Sequence, residues 1–290
     1  MKFGIHYSIG VNADPQADDY IRVAQKAEEL GYHSLWLGDH IVIPEKIEAA
    51  YPYSADGAAG FPRRAPFPDP FVLLGGLALA TSRILLGTSV IVIPYRNPLA
   101  VAKAVATVDL LSHGRFQFGV GVGWLKEEFD ALGEDFARRA RQTREYLHIM
   151  KAVWQAEPAS FSGEFLTFSD IHNVPLPVQK PHPPIIFGGE SLPALKRVAD
   201  LGDGWQPGTA SLKVLSKSVP QLQALMAERG RDYADLSVSA LSAAGPLLRK
   251  PEVIPQLSEL GVRELILFMT AADTQKTLAV IEEFAEKMMD

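Results

Sequence analysis

Residues 85–98 read LLGTSVIVIPYRNP. The run from Leu85 to Val92 is short, apolar and rich in β-branched residues, which is how a strand buried on both faces of a parallel sheet reads. Thr88 and Ser89 interrupt it, and a Pro-x-x-x-Pro turn, Pro94 to Pro98, ends it. A hydroxyl inside a core strand must find a hydrogen-bond partner or it destabilises the fold. These two therefore bond to backbone or face something polar where the strand ends.

On both sides the same strand-then-helix unit recurs. Asp69-Pro70 reads as N-cap and first residue of a helix continuing through FVLLGGLALAT, and Asn97-Pro98 opens another that reaches about Leu111. Towards the N-terminus lie strands KFGIHY (2–7) and SLWLG (34–38). Between them a helix runs from about Asp18 to Leu30, with Tyr20, Ile21, Val23, Ala24, Ala27 and Leu30 on one face and Gly31 as its stop. Towards the C-terminus the strands are RFQFGVGVG (115–123), PPIIFGG (183–189), GDGWQPG (202–208), LSVSALSA (236–243) and ELILF (264–268). Helices are expected over 127–155 with a break near Gly133, in SLPALKRVADLG, over 213–229, near 252–260 and over 274–288; residues 157–170 read as a hairpin insertion. Counting the opening stretch as the third, eight such units predict a (β/α)8 TIM barrel rather than an open doubly wound sheet. Nothing resembling a linker divides the chain, so residues 1–290 read as a single domain.

Composition narrows the function. With 290 residues, 47% of them hydrophobic, there is chain enough for a large core, and no apolar run reaches the roughly 18 residues a membrane span needs. The N-terminus has no secretory h-region, so no signal peptide is expected, and the lack of cysteine is compatible with the expected cytoplasmic location. The absence of cysteine excludes disulfides, thiolate metal sites and a Cys nucleophile. A net charge of -6 with scattered Lys and Arg disfavours nucleic acid. No His or carboxylate cluster has metal-ligand spacing, and neither a Gly-x-Ser-x-Gly elbow nor a Walker loop is present.

A TIM barrel carries its chemistry at the C-terminal ends of its strands. Those ends hold His6, Asp39-His40, Thr88-Ser89, Gly121 and Gly123, Gly188-Gly189 and the GDGW turn. Asp39-His40 is the sharpest pair, since a histidine at a strand mouth exchanges protons near neutral pH; the alternative is a histidine bonded into its loop. The glycine turns suit an anion at a helix start, or simply a tight bend. Residues 44–69 form a long irregular segment whose Tyr51, Tyr53, Phe61 and Phe67 suit a lid over an apolar ligand, the alternative being a loop packed on the outside.

The stretches SLWLGDH (34–40), RILLGTSVIVIPYRNP (83–98), LLSHGRFQFGVGVGWLKEEFDALG (110–133), PHPPIIFGG (181–189) and ADLGDGW (199–205) together resemble the luciferase-like monooxygenase superfamily, in particular its deazaflavin-using branch. The resemblance implies a third strand ending in a bulge with a cis peptide at Ser89-Val90 that presses on a flat tricyclic ring. It places Thr88, Ser89, Val90, Gly121, Val122 and Gly123 at that ring, and Phe187, Gly188, Gly189, Gly204 and Trp205 at the cofactor's tail. His40 would move a proton or stabilise the reduced ring, held by Asp39, while His6, Tyr51, Arg96 and Trp124 would line the substrate side. Arg96, Arg63 or Arg64 would meet an anionic tail or substrate. The implied activity is hydride transfer between coenzyme F420 and a small organic substrate, in a homodimer. Two alternatives stand beside it: an FMN-dependent monooxygenase, and a non-catalytic flavin-binding protein. Sugar-phosphate and alcohol dehydrogenases of that branch carry a Trp where Pro44 stands and a Glu where Trp124 stands. The chain looks more like an actinobacterial subgroup similar in form to methylenetetrahydromethanopterin reductases.

Overall fold

The computed structural model describes residues 1–7, 16–54, 56–269 and 273–289; Ala55 of the lid motif lies outside the described residues. The first half contains β1 (Lys2–His6), α1 (Ala17–Glu29), β2 (Ser34–Leu37), α2 (Pro70–Ala80), β3 (Leu85–Thr88), β4 (Ile91–Val92), α3 (Pro98–Leu111), β5 (Phe116–Gly121), α4 (Lys126–Leu132) and α5 (Arg139–Gln155). The second half contains β6 (Ala159–Ser162), β7 (Thr167–Ile171), β8 (Ile185–Gly188), α6 (Leu192–Leu201), β9 (Gly204–Gln206), α7 (Leu212–Ala227), β10 (Ser237–Ser242), α8 (Ala244–Arg249), α9 (Val253–Glu259), β11 (Glu264–Phe268) and α10 (Thr274–Met288).

The parallel strands follow the order β3-β2-β1-β11-β10-β9-β8-β5-β4, and β3 also pairs with β5, which closes the ring. β3 and β4 share one position in that ring, so the chain forms a closed eight-position (β/α)8 TIM barrel. The peptide between them, Ser89-Val90, is cis. β3 pairs with β2 through four residues, whereas β4 pairs with β5 through Ile91 and Val92. The β6–β7 hairpin stands apart as an antiparallel pair, where the sequence predicts an insertion.

Local chemistry explains the helix starts. Asp69 accepts the Phe71 and Val72 amides at 3.0 and 3.1 Å, and Asn97 accepts the Leu99 amide at 2.9 Å; each is followed by a proline, whose missing N–H costs nothing there. Gly133, at φ +74°, ends α4 in the left-handed conformation and separates it from α5. α8 is not anticipated from the sequence: its Gly245-Pro246 reads as a turn, yet proline is tolerated in a helix's first turn.

Strand alternation divides the core into two parts. Leu35, Leu86, Phe118, Phe187 and Trp205 point outward into the large cluster beneath the helices. Trp36, Ile186 and Ile266 fill the barrel interior together with Leu241. Gly87 leaves room for Trp36, since a Cβ there would lie 2.3 Å from the indole. At the floor the Trp36 indole donates to Ser34 Oγ, which donates to the Glu264 carboxyl. Burial raises the Glu264 pKa to about 7, against the lowering effects of the Ser34 hydroxyl and Lys2.

Candidate active site

Two carboxylates organise the barrel mouth where the chain leaves β2 as Gly38-Asp39-His40. Asp39, its side chain buried, accepts Arg96 Nη1 at 2.7 Å, Arg96 Nη2 at 2.8 Å and the Val92 amide at 3.0 Å. Arg96 also reaches Asp69 at 3.4 Å. Burial pulls the Arg96 pKa down, but Asp39 and Asp69 outweigh it and hold the guanidinium above its ordinary value. The expectation that Asp39 holds His40 is therefore corrected: Asp39 holds Arg96 and the Val92 amide, and the His40 ring pairs elsewhere. Arg96 in turn is not a free cation awaiting an anion.

Glu128 takes the place expected of Asp39. Its carboxylate, fully buried, meets His40 Nδ1 at 2.7 Å and accepts the Tyr95 hydroxyl at 3.0 Å and the amides of Ile41 and Val42 at 2.7 and 3.1 Å. Burial and the adjacent Glu128 charge raise the Tyr95 pKa, so this phenol stays a donor. A carboxylate on Nδ1 favours the tautomer with the proton there and leaves the Nε2 lone pair to accept another. Nε2 of His40 makes no hydrogen bond within the described residues. The sequence reading missed Glu128, although a signal was present: Leu125, Glu128 and Phe129 are spaced three and four apart at the helix start after the glycine turn, and all three are buried.

The lid segment lies across this mouth. The His40 ring touches Phe61, Phe67 and Trp124, with centroids 5.2, 5.0 and 6.4 Å away. Trp124 contacts Tyr51 at 5.0 Å, and Tyr51 contacts Tyr53 at 5.4 Å. Tyr53 rests on Gly208, where a Cβ would come within 2.7 Å of its ring, and its hydroxyl approaches Gly189. Glu127 anchors the segment by accepting the amides of Glu48 and Ala49 at 2.7 and 3.0 Å. Arg63 and Arg64 are exposed.

Other expected site residues divide by strand parity. Ser89 turns inward, donating to Gln206, which reaches Ser239. His6 also turns inward, bonding Ser89's carbonyl at 3.2 Å and stacking on Phe268 at 4.9 Å; burial pushes its pKa down to about 4. Val90, half-buried, lies over bare Gly121 and Gly188, where a Cβ would meet its methyls at 2.5 and 3.2 Å. Val122 and Gly123 are half-buried beside them. Thr88 turns outward: its hydroxyl donates to the Gly119 carbonyl at 2.8 Å inside the barrel wall, so the expectation that it faces a cofactor is corrected. The Phe187 and Trp205 side chains likewise lie in the outer core, a correction for both; Trp205 still shapes the mouth by donating to the Gly189 carbonyl at 2.9 Å. Gly204 sits in the wall, with Ile186 and the Ser237 carbonyl each 2.9 Å from where a Cβ would stand.

Beyond Gly189, Ser191 caps α6, and Arg197 on that helix makes no ion pair within the described residues. Burial, with Arg139 and Arg144 nearby, lowers the Arg197 pKa. Among the described residues no three His, Cys, Asp or Glu side chains converge as a metal site would require, and no helix is long and apolar enough to cross a membrane.

The model of the luciferase-like monooxygenase family matches residues 1–246. An uncharacterized protein of Mycobacterium tuberculosis is 33% identical over 285 residues, 98% of this chain and 99% of its own. The monooxygenase RslO1 from Streptomyces bottropensis superposes with a TM-score of 0.80 at 20% identity, covering 100% of this chain and 99% of that one. The coenzyme F420-dependent tetrahydromethanopterin reductase from Methanopyrus kandleri gives 0.76 at 17% identity, over 99% and 98%. At such identities the two solved structures speak to the fold alone. The family match spans most of the sequence and a relative is similar from end to end, so the chain belongs to the luciferase-like monooxygenase family.

Proposed function

We propose that this chain is an oxidoreductase moving a hydride between coenzyme F420 and a small organic substrate, with His40 as its acid–base residue. The observation that carries the reading is the buried Glu128 carboxylate on His40 Nδ1, which aligns the ring and leaves Nε2 for a proton. The fit to a flat ring rests on Val90, a half-buried side chain flanked by two bare glycines at the mouth. Ser89, Gly121, Val122 and Gly123 would border that ring, and Gly188, Gly189, the α6 start and Arg197 would meet its anionic tail. When bound, the deazaflavin supplies the carbon that carries the hydride. The chain's own part is to orient that ring, exclude water with the 44–69 lid, and hold or release a proton at His40 Nε2.

Membership of the luciferase-like monooxygenase family supports, as a second reading, an FMN-dependent monooxygenase. Absorbance titration of purified protein with coenzyme F420 and with FMN separates the two. Saturable binding of F420 alone is expected; tight FMN binding, with oxygen uptake on adding reduced FMN, would reverse the order.

We also propose that the chain acts as one domain and assembles as a homodimer through α2. That helix carries no charged residue, and its Val72 and Leu79 are 78% and 73% exposed. Outward apolar residues in such a row mark a contact surface. Val72→Glu combined with Leu79→Glu should halve the mass measured by light scattering; an unchanged dimer would place the contact elsewhere.

A further inference from the structure

We infer that Tyr95 is a positioning residue, which ties the Glu128–His40 pair to the barrel wall and so keeps the proton of His40 on Nδ1. This rests on the reading of His40 as the acid–base residue and adds to it the group that fixes that residue's geometry.

The origin of the donors on Glu128 is the first argument. His40, Ile41 and Val42 supply three of them, and all three belong to one short segment leading into the lid. That segment and the carboxylate could swing as a unit without breaking a bond between them. The fourth donor, the Tyr95 hydroxyl, comes from the turn that follows β4. Through it the pair is fastened to β4, and so to the barrel wall. The flanking Val92 amide and Arg96 side chain are taken by Asp39, and Arg96 by Asp69 as well. The phenol is what this turn has left for Glu128.

The oxygen that the phenol takes is the second argument. Ile41 and Val42 bond Oε1, whereas Tyr95 and His40 share Oε2, at 3.0 and 2.7 Å. The terminal torsion of a glutamate is broad, so amides on Oε1 alone leave Oε2 free to turn out of line with the imidazole. The phenol pins it. Its own ring is pinned in turn, buried and packed edge-on against Phe129 at 4.7 Å beside Val92. A donor held this firmly fixes where Oε2 presents its charge, and that direction selects Nδ1 as the protonated nitrogen.

Nitrogen NMR of the histidine-labelled full chain at alkaline pH, where imidazoles are neutral, reads the tautomer directly. The His40 signal is assigned by its loss in His40→Gln. The parent should show one tautomer, protonated on Nδ1. Tyr95→Phe keeps the ring on Phe129 and removes the hydroxyl. It should show a mixture of tautomers, and any turnover found should fall about tenfold in kcat with the KM for F420 unchanged. Thr88→Val, which also deletes one buried hydroxyl, should leave the His40 signals as they are. Should Tyr95→Phe fail to fold, a fluorinated tyrosine at position 95 keeps the hydroxyl and makes it a stronger donor; it should move the Nδ1–H resonance upfield. A His40 spectrum left unmoved by either change at Tyr95 would overturn the inference. So would a parent ring protonated on Nε2, or an equal change in Thr88→Val. F420 titration of the same samples reports the functional reading separately. A tautomer change without F420 binding sinks that reading alone, and F420-dependent turnover with an unmoved His40 spectrum sinks the positioning role alone.

Discussion

Glu128 and Glu264 are both carboxyl groups shut away from water, one at the mouth of the barrel and one at its floor. Glu128 meets four donors: an imidazole nitrogen, a phenol and two amides. Glu264 has the Ser34 hydroxyl and the field of Lys2. Depth is similar and the surroundings decide the difference. Where donors converge, a buried carboxylate becomes a fixed point on which a neighbouring ring can be hung; where they are few, burial wins and the group holds its proton to about pH 7.

The comparison is easiest to break at the mouth. Glu128→Ala strands His40, Tyr95 and two amides, and should cost about 3 kcal/mol or more of unfolding free energy in urea, with loss of any turnover found. A variant as stable as the parent would mean the network is ornamental.

The floor predicts the opposite sign. At a pH below 4.5, the ordinary value for Glu264, the carboxyl is protonated in folded and unfolded chains alike. As pH rises the unfolded chain ionises first, so the folded state loses stability until pH passes about 7, by roughly 3 kcal/mol in all. Glu264→Gln keeps an acceptor for Ser34 and carries no charge. Its advantage over the parent should therefore be absent at pH 4 and grow to that size by pH 8; a pH-independent difference between the two would contradict this. His6 acts in the reverse sense: with its pKa depressed to about 4, its contribution is present above 6.5 and lost as pH falls through 4.

The smallest effect sharpens the parity argument. Thr88→Val removes one hydroxyl from the wall and leaves the Gly119 carbonyl without that donor, a loss of about 1 kcal/mol in thermal or urea unfolding. Cofactor affinity should not change. A large loss of affinity would return Thr88 to the mouth.

Much of this was legible in sequence because barrel strands and amphipathic helices obey short local periods. The eight units, the helix starts at Asp69-Pro70 and Asn97-Pro98, the hairpin insertion and the position of the cis peptide follow from residues close together in the chain or from family resemblance. What escaped depends on partners far apart. Glu128 lies 88 residues from His40, and nothing local to Asp39-His40 says that Arg96, 57 residues on, will claim the nearer carboxylate. Thr88, Phe187 and Trp205 illustrate another reason: they stand at strand ends, yet the two-residue alternation, not nearness to the end, assigns their side chains to the outer face.

One consequence follows from the divided third strand. β4 leans on β5 and has no ladder with β2, so near the rim the cylinder is bridged at this point by the Asp39 side chain, which takes the Val92 amide. Elsewhere the hoop is stitched by peptide groups that every residue carries, and mutation passes over it without loosening a stitch. Here the stitch belongs to one particular amino acid, which makes position 39 a clasp: changing it opens the rim without touching the rest of the hoop.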